Sequence, residues 1–289
     1  MLLLAGTIPI PDMPLTFGPC KYSDNKLTIG DYTLTDNLVT LGTAAMISAS
    51  SATCQALGVE GPHAVVAGDT GSGDGTLKIF QFITEKVAEL KPKVLTLHYI
   101  LPQREPFLSM VEAVNKTEPH VFFIADAGTM LNAKAVGVPK KFDLFTPDPG
   151  ELSFLADPDA AHPAYVRHFI FAVDNTEVAR LGKEAYEHGD TPKYLLVKSA
   201  VDHIFVEGKV VGIIKDPNIP ALEPIGGTGD TITGIVSALI HAGFDVPDAC
   251  TKAAKINRVM GQLANPTPAT RIGQLIPFIP EAVKKVIPG

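Results

Sequence analysis

The sequence has few cysteines, no run of basic residues and no long hydrophobic segment. Its three cysteines, Cys20, Cys54 and Cys250, are scattered and form no C-x-x-C pair. This pattern argues against a disulfide framework or a structural zinc site and is typical of a reducing compartment. A formal net charge of −7 without a basic cluster argues against nucleic-acid and acidic-membrane partners.

The amino-terminal segment, residues 1–8, is apolar but lacks the positive residues of a signal peptide, so we interpret it as a first strand. No apolar run is long enough to cross a bilayer. We therefore expect a cytoplasmic protein whose partners are small molecules. Whether it forms a homo-oligomer stays open.

The 289 residues, 46% of them hydrophobic, are enough for one large α/β domain or two small ones. Strand and helix patterns alternate along the chain, and no internal repeat or linker interrupts them. We therefore predict one domain over residues 1–289, with a three-layer α/β/α fold and a mostly parallel central sheet covered by helices on both faces.

Strands are predicted at residues 2–8, 63–67, 94–97, 121–125, 142–145, 194–198, 204–207 and 210–214. Helices are predicted at residues 42–57, 77–90, 105–115, 131–136 and 175–187, with a buried helix from 231 to about 241 and two more after it. Residues 26–34 are predicted to form a hairpin, and so are the last two strands, which are joined through Gly208 and Lys209. The Pro/Gly-rich residues 9–19 are predicted to form a loop, and residues 157–171 a surface insertion.

A glycine-rich turn, residues 225–229, runs into the most apolar of these helices. Glycines permit close approach of a ligand, and the start of a helix carries free N–H groups and a partial positive charge, so the turn is a candidate anion site. Asp230 would repel a bound phosphate, but it makes sense as the base that takes a proton from an attacking hydroxyl. The alternative is an ordinary helix start, with Thr228 or Asp230 as its N-cap.

Polar residues also follow several predicted strands, at the edge where open α/β sheets bind ligands. Each has a structural alternative: Asp126 and Asp148 could cap the following turns or helices, Glu151 could favour a helix dipole, and Lys198 could extend to solvent. The eight histidines show no metal-ligand spacing and are interpreted as structural or exposed. The loop 71–75 resembles a phosphate-binding loop but is a weak signal by itself.

The order of these motifs resembles the ribokinase-like superfamily, and within it the ADP/ATP-dependent NAD(P)H-hydrate dehydratase family. The motifs are I-A-D-A at 124–127, T-P-D-P-G-E at 146–151, L-V-K-S-A at 196–200 and G-G-T-G-D at 226–230. The resemblance covers roughly residues 120–265. Three positions depart from the family pattern: Asp148 replaces a histidine, Ser199 replaces a glycine, and residues 97–102 replace a G-P-G-L-G loop.

The resemblance implies an enzyme that uses ATP or ADP with Mg²⁺. Asp230 would be its catalytic base, with Gly227, Thr228 and Gly229 holding the developing charge. Lys198, Ser199, Ala200, Gly226 and Gly229 would bind the nucleotide, and Glu151 would hold magnesium. Ala44, Asp126, Asp148 and Asp230 would contact a substrate such as hydrated NADH or NADPH.

A dehydratase phosphorylates a substrate hydroxyl and then eliminates the phosphate, whereas a small-molecule kinase releases the phosphate ester. Because the substrate end departs from the family pattern, a kinase for a sugar, nucleoside or vitamin precursor is the second hypothesis. A non-catalytic nucleotide sensor is the third hypothesis, against which Asp230 argues, because a carboxylate beside phosphate benefits catalysis and not binding.

Overall fold

The computed structural model describes residues 1–34, 42–160 and 177–288. Within these ranges, eleven strands form one sheet in the order β11-β10-β9-β8-β7-β6-β1-β5-β2-β3-β4. The strands are β1 (Leu2–Ile8), β2 (Thr16–Ser23), β3 (Lys26–Ile29), β4 (Tyr32–Leu34), β5 (His63–Gly68), β6 (Val94–His98), β7 (Phe122–Ala125), β8 (Leu144–Phe145), β9 (Tyr194–Val197), β10 (Asp202–Val206) and β11 (Lys209–Ile214). The helices are α1 (Gly42–Leu57), α2 (Asp74–Leu90), α3 (Arg104–Asn115), α4 (Gly128–Ala135), α5 (Pro149–Ala156), α6 (Val178–His188), α7 (Thr228–His241), α8 (Val246–Ala264), α9 (Ile272–Leu275) and α10 (Ile279–Val286).

The sheet is mixed, which corrects the prediction of a mostly parallel one. The six central strands, β9 to β5 in spatial order, are parallel to their neighbours. The β10-β11 hairpin extends one end antiparallel, and β2 to β4 extend the other. The hairpins β3-β4 and β10-β11 agree with the predicted ones, but β2 and its antiparallel pairing with β5 were not predicted. Antiparallel strands need no crossover helix, so the strand–helix alternation does not detect them.

Strand β2 occupies part of the segment that was predicted as a Pro/Gly-rich loop, so that prediction was wrong for residues 16–19. Its buried residues alternate: Gly18, Cys20 and Tyr22 point inward. Gly18 lies so close to Gly30 that a side chain would not fit, since a Cβ would come 2.6 Å from the Gly30 Cα. The glycine therefore marks close backbone approach between strands rather than a turn.

Two hydrophobic cores lie on opposite faces of the sheet. Alternate residues of β1 enter different cores: Leu2 and Leu4 belong to one and Leu3 and Ala5 to the other. Side chains of α1, α7, α8 and α10 fill the first core, and side chains of α2 to α6 fill the second. A strand buried on both faces is apolar at successive positions, as the first eight residues are.

Helices α1 and α7 pack closely at a glycine. A Cβ on Gly234 would lie 2.1 Å from the carbonyl oxygen of Met46, so only glycine lets the two backbones approach to this distance. The small-residue composition of α1 was predicted to allow close packing on the sheet, and it also allows this contact with α7. The buried helix predicted from Thr231 begins at Thr228 and is buried at every position from Thr231 to Ile240.

Several predictions fall partly outside the described residues. These are residues 161–171 of the proposed surface insertion and residues 175 and 176 of the helix predicted at 175–187. In the described part of the chain, no helix combines the length and apolarity that crossing a membrane requires. Cys20, Cys54 and Cys250 are buried free thiols.

Candidate active site

The glycine-rich turn opens α7 as predicted, but its cap is neither Thr228 nor Asp230. The N-cap residue is Gly227, with a left-handed φ of 96° and no side-chain capping bond. A Cβ there would also lie 2.9 Å from Ile272, so both conformation and space favour glycine. The ordinary helix-start alternative is therefore wrong in its choice of cap, and the Asp230 side chain is available for other contacts.

Asp230 lies in the first turn of α7 and is anchored through both carboxylate oxygens. The backbone N–H of Gly42, at the start of α1, donates to Oδ2 at 2.6 Å, and Nε2 of His98 lies 3.0 Å from Oδ1. Burial by itself raises the pKa of Asp230, but His98, Lys198 and the Gly42 N–H outweigh it and lower the pKa to about 2. The carboxylate is thus ionised and held in one orientation.

Asp126 and Lys198 form a buried ion pair beside Asp230. The Lys198 ammonium donates to both carboxylate oxygens of Asp126, at 2.7 and 2.8 Å, and Thr233 of α7 donates to Oδ2 at 2.5 Å. Burial lowers the pKa of Lys198, but Asp126, Glu151 and Asp230 outweigh it and leave the pKa raised. The alternative of a solvated Lys198 is therefore wrong, because the side chain is buried in this pair. The alternative of a capping Asp126 is incomplete: Asp126 does accept the N–H of Ala127, yet its main partner is Lys198.

Asp148 and Glu151 form a reciprocal capping box at the start of α5. The Glu151 N–H donates to Asp148 Oδ1 at 2.7 Å, and the Asp148 N–H donates to Glu151 Oε2 at 2.8 Å. Burial and the negative charges of Asp148 and Asp126 raise the pKa of Glu151 to about 8. The structural alternative thus holds for Asp148, an exposed N-cap, although both residues also line the cavity described next.

One cavity of about 550 Å³ joins most of the predicted site residues. Its wall includes the glycine-rich turn and Asp230, the segment 198–200 after β9, Asp126 after β7, and the capping box of α5. Ala44 is not among the lining residues of the described chain; it is 2% exposed and belongs to a hydrophobic core. Its neighbour Thr43 contacts His98 instead, with Oγ1 3.3 Å from Nδ1.

Sequence reasoning did not place His98 in the site: of the two interpretations, structural or exposed, the structure excludes exposure. The residue is fully buried at the end of β6 and lies against both Asp230 and Asp126. A signal existed, because His98 directly follows a predicted strand, as Asp126 and Lys198 do. The position also falls within residues 97–102, which replace the G-P-G-L-G loop, so no family motif marks it.

The side chains Asn257 and Arg258 of α8 were also missed, and both line the cavity. Arg258 pairs with buried Asp202 through Nε at 2.9 Å and donates to the carbonyls of Ser199 and Ala200. It therefore fixes the backbone of the segment predicted to bind nucleotide. The contact joins residues more than fifty positions apart, which no local pattern reveals.

Two cavity residues that are not glycine have left-handed backbone: Tyr99, with φ of 40°, and Ala127, with φ of 49°. Each directly follows a strand-end residue of the site, His98 or Asp126. Such conformations cost of order 1–3 kcal/mol and cluster at functional sites. Tyr99 is held by Thr7, whose N–H and hydroxyl both donate to its carbonyl oxygen.

The loop 71–75, which resembles a phosphate-binding loop, already surrounds a carboxylate of the chain itself. Asp69 accepts the N–H groups of Gly71, Gly73 and Thr76 at 2.9 to 3.2 Å. Although burial raises the pKa of Asp69, these bonds outweigh it and lower the pKa. The donors that would bind a phosphate are therefore taken by Asp69.

Three ligand-type side chains, His98, Asp126 and Asp230, lie within 4.8 Å of one another. The arrangement does not suit a magnesium ion. Mg²⁺ prefers oxygen ligands, and the Lys198 ammonium already holds both oxygens of Asp126. Glu151, which also lines the cavity, keeps a carboxyl group there.

Comparison with known proteins shows which family this chain matches. Residues 97–278 match the family described as Carb_kinase, NAD(P)H-hydrate dehydratase. This match is wider than the segment that the motifs covered and includes the end of β6. An uncharacterised protein of Methanocaldococcus jannaschii is 41% identical over 242 residues, which is 84% of this chain and all of that protein.

Solved structures share the fold. The ADP/ATP-dependent NAD(P)H-hydrate dehydratase from Bacillus subtilis, co-crystallised with ATP and Mg²⁺, is 18% identical; the alignment covers 98% of this chain and 90% of that one with a TM-score of 0.59. The pyridoxal kinase from Staphylococcus aureus in complex with ADP is 11% identical, with 89% and 86% covered and a TM-score of 0.52. At these identities the similarity establishes the fold alone.

Proposed function

We propose that this chain, which belongs to the NAD(P)H-hydrate dehydratase family, uses ATP or ADP to phosphorylate the hydroxyl group of hydrated NADH or NADPH and then eliminates the phosphate. The observation that carries the proposal is the position of Asp230. An ionised carboxylate lies in the first turn of a buried helix, next to the N–H groups of that turn, on the wall of a cavity. That combination serves phosphoryl transfer to a hydroxyl.

Asp230 orients the substrate hydroxyl before it accepts the proton. A carboxylate with a pKa of about 2 is a weak base toward a resting alcohol. As the oxygen bonds to phosphorus, the hydroxyl becomes strongly acidic, and its proton then passes to Asp230. The carboxylate therefore acts mainly by holding the nucleophile in line and by accepting charge in the transition state.

The nucleotide site is assigned to the glycine-rich turn and the segment 198–200. Backbone N–H groups of Gly227 to Gly229 lie at the positive end of α7, where they would stabilise charge that develops on the transferred phosphoryl group. Lys198 adds a buried positive charge close to this turn: a Cβ on Gly229 would lie 3.7 Å from its Nζ. Arg258 keeps the 198–200 backbone in place.

Magnesium is part of the proposal, with Glu151 as the residue that would hold it. A carboxylate at the cavity wall provides the oxygen donor that Mg²⁺ prefers. When bound, the ion would neutralise negative charge on the phosphate oxygens. Because the pKa of Glu151 is raised, we expect binding of the cation to release a proton from this group.

A three-layer ribokinase-like arrangement in one domain, and a cytoplasmic location, belong to the same proposal. The layered arrangement is supported by the two cores on opposite faces of the sheet. The absence of cysteine pairing among the three buried thiols supports a reducing compartment.

The test is an assay with hydrated NADH, magnesium and either ATP or ADP, in which the appearance of NADH and the release of phosphate are followed together. We expect both products in equal amounts and only when nucleotide is present. Phosphorylation without NADH formation would identify a kinase. No consumption of hydrated NADH with either nucleotide would overturn the proposed reaction.

A further inference from the structure

His98 is a fully buried histidine enclosed by charged groups of the candidate site. Its Nε2 lies 3.0 Å from Asp230 Oδ1 and 3.5 Å from Asp126 Oδ2. On the other side of the ring, Nδ1 lies 3.3 Å from the hydroxyl of Thr43. The ring also packs on Tyr99, with centroids 4.6 Å apart.

These neighbours determine which ring nitrogen carries the proton. Both groups near Nε2 are carboxylates, and an ionised carboxylate only accepts hydrogen bonds. Nε2 must therefore be protonated and donate. Thr43 can either donate to Nδ1 or accept from it, so that side of the ring is compatible with both the neutral and the charged imidazole.

Exposure separates the roles of the two partners. The side chain of Asp230 keeps 15% of its surface accessible, whereas that of His98 has none. A substrate hydroxyl in the cavity can thus contact Asp230 but not His98. Any effect of His98 on the reaction must pass through the carboxylates beside it.

We propose that His98 is a positioning residue for Asp230, whose Nε2–H fixes the carboxylate in the orientation that receives the substrate hydroxyl. The proposal rests on the phosphoryl-transfer function assigned above. With the Gly42 N–H on Oδ2 and His98 on Oδ1, each oxygen of Asp230 has one fixed donor, so rotation of the carboxylate would break both bonds. Each oxygen keeps capacity to accept a further hydrogen bond, and 15% of the Asp230 side chain is accessible to a substrate.

His98 also lies between two negative charges. Asp126 is paired directly with Lys198, but in the absence of the histidine N–H, Asp230 would face Asp126 with the Gly42 N–H as its one remaining hydrogen-bond donor among the described residues and Lys198 as a shared positive charge. Like charges at such a distance disfavour the ionised forms. The same N–H therefore supports both the orientation and the ionisation of Asp230.

Two substitutions separate the hydrogen bond from the volume of the ring. His98→Leu removes the donor, and we expect kcat to fall by up to about 100-fold, the cost of a slightly misplaced reacting group, while KM for the nucleotide changes little. His98→Gln returns an N–H donor near Nε2, and we expect it to recover most of that loss. His120→Gln is the matched control, because His120 pairs with Asp143 at 3.1 Å outside the site; it should behave as the wild type.

Equal kcat in His98→Leu and the wild type would overturn the positioning role, and so would a Gln variant no better than Leu. A combination with Asp230→Asn distinguishes this failure from failure of the function. In the Asn background, His98→Leu should cost nothing further, because coupled residues are not additive. If His98→Leu is active and Asp230→Asn is inactive, only the proposed role of His98 is wrong. If Asp230→Asn is active, both the role of His98 and the proposed catalytic role of Asp230 are wrong.

A measurement that needs no turnover completes the test and remains informative if one variant folds poorly. Nitrogen-15 NMR of the histidine rings in the wild-type protein should show His98 protonated at Nε2, and Asp230→Asn should shift that resonance. A ring with bare Nε2 and protonated Nδ1 would contradict the geometry on which the proposal depends.

Discussion

The backbone N–H of Gly42 and the carboxylate of Asp230 form a 2.6 Å hydrogen bond between residues 188 positions apart. The bond joins the starts of α1 and α7, so the positive ends of two helix dipoles meet at one negative charge. Close packing at Gly234 holds the helices at this distance. The ionised state of Asp230 is therefore built into the packing of the core.

The buried Asp126–Lys198 pair should be essential for stability as well as for nucleotide binding. Lys198→Met leaves an uncompensated carboxylate that is 1% exposed, and we expect a loss of about 3–5 kcal/mol in the free energy of unfolding. Adding Asp126→Asn should recover part of it. Urea unfolding of both variants measures the difference.

An exposed pair serves as the control. Lys86 contacts Glu89 at 2.9 Å on the surface, and Lys86→Met should leave the urea midpoint almost unchanged. A Lys198→Met variant as stable as Lys86→Met would show that the buried pair contributes no net stabilisation.

Asp148 caps α5 and also lines the cavity, and two substitutions separate these two roles. Asp148→Asn keeps the capping bond but removes a negative charge from the cavity, so we expect unchanged stability and a lower KM for hydrated NADH, whose phosphates are negative. Asp148→His should lower KM too, at a cost of about 1 kcal/mol for the lost cap. Steady-state kinetics and thermal unfolding provide both quantities. If KM is the same in all three proteins, Asp148 is a cap only.

The fold was largely predictable because its signals are local. The ranges of β1 and α1 were predicted to the residue, since a buried strand and a small-residue helix each have a clear pattern. The two edge hairpins have local signals and were predicted, but strand β2 was not, because its antiparallel pairing with β5 joins distant segments. Periodicity within one segment does not contain that information.

The site divides in the same way. Asp126, Lys198 and Asp230 each follow a recognisable turn or strand, and the structure brings them together. His98 and Arg258 acquire their roles from partners far along the chain, Asp230 and Asp202, and neither lies in a motif. The resemblance of loop 71–75 to a phosphate-binding loop was a weak signal, and its N–H groups instead bind the carboxylate of Asp69, a contact that only the folded chain reveals.

Glu151 should make stability depend on pH. Its pKa is raised from 4.5 to about 8 in the folded state, so between these values the folded protein keeps a proton that the unfolded chain has lost. By linkage, its contribution to stability falls as pH rises through this window and is constant above it. Glu151→Gln, which still suits a capping box, should remove that slope in urea titrations without magnesium. Parallel slopes for the two proteins would contradict the raised pKa.

Nucleotide binding should be visible without any substrate. ATP, ADP or AMP at about a hundred times its dissociation constant should add about 2.7 kcal/mol to the free energy of unfolding and raise the melting temperature. The reason is that only the folded chain brings the glycine-rich turn and Lys198 together. No shift with any of the three at millimolar concentration, with magnesium present, would exclude the assigned nucleotide site.

The most direct test of the account is the turnover of Asp230→Asn. The substitution keeps the size of the side chain and one acceptor for the Gly42 N–H but removes the charge and the proton acceptor. We predict that kcat falls by about 10²–10⁴, the usual contribution of a positioned base, while nucleotide affinity stays level or rises because a negative group has left the phosphate site. A variant that keeps more than about a tenth of wild-type turnover would contradict the mechanism, because a loss of less than about tenfold is smaller than any loss expected for a missing base. The turn would then be a binding loop only.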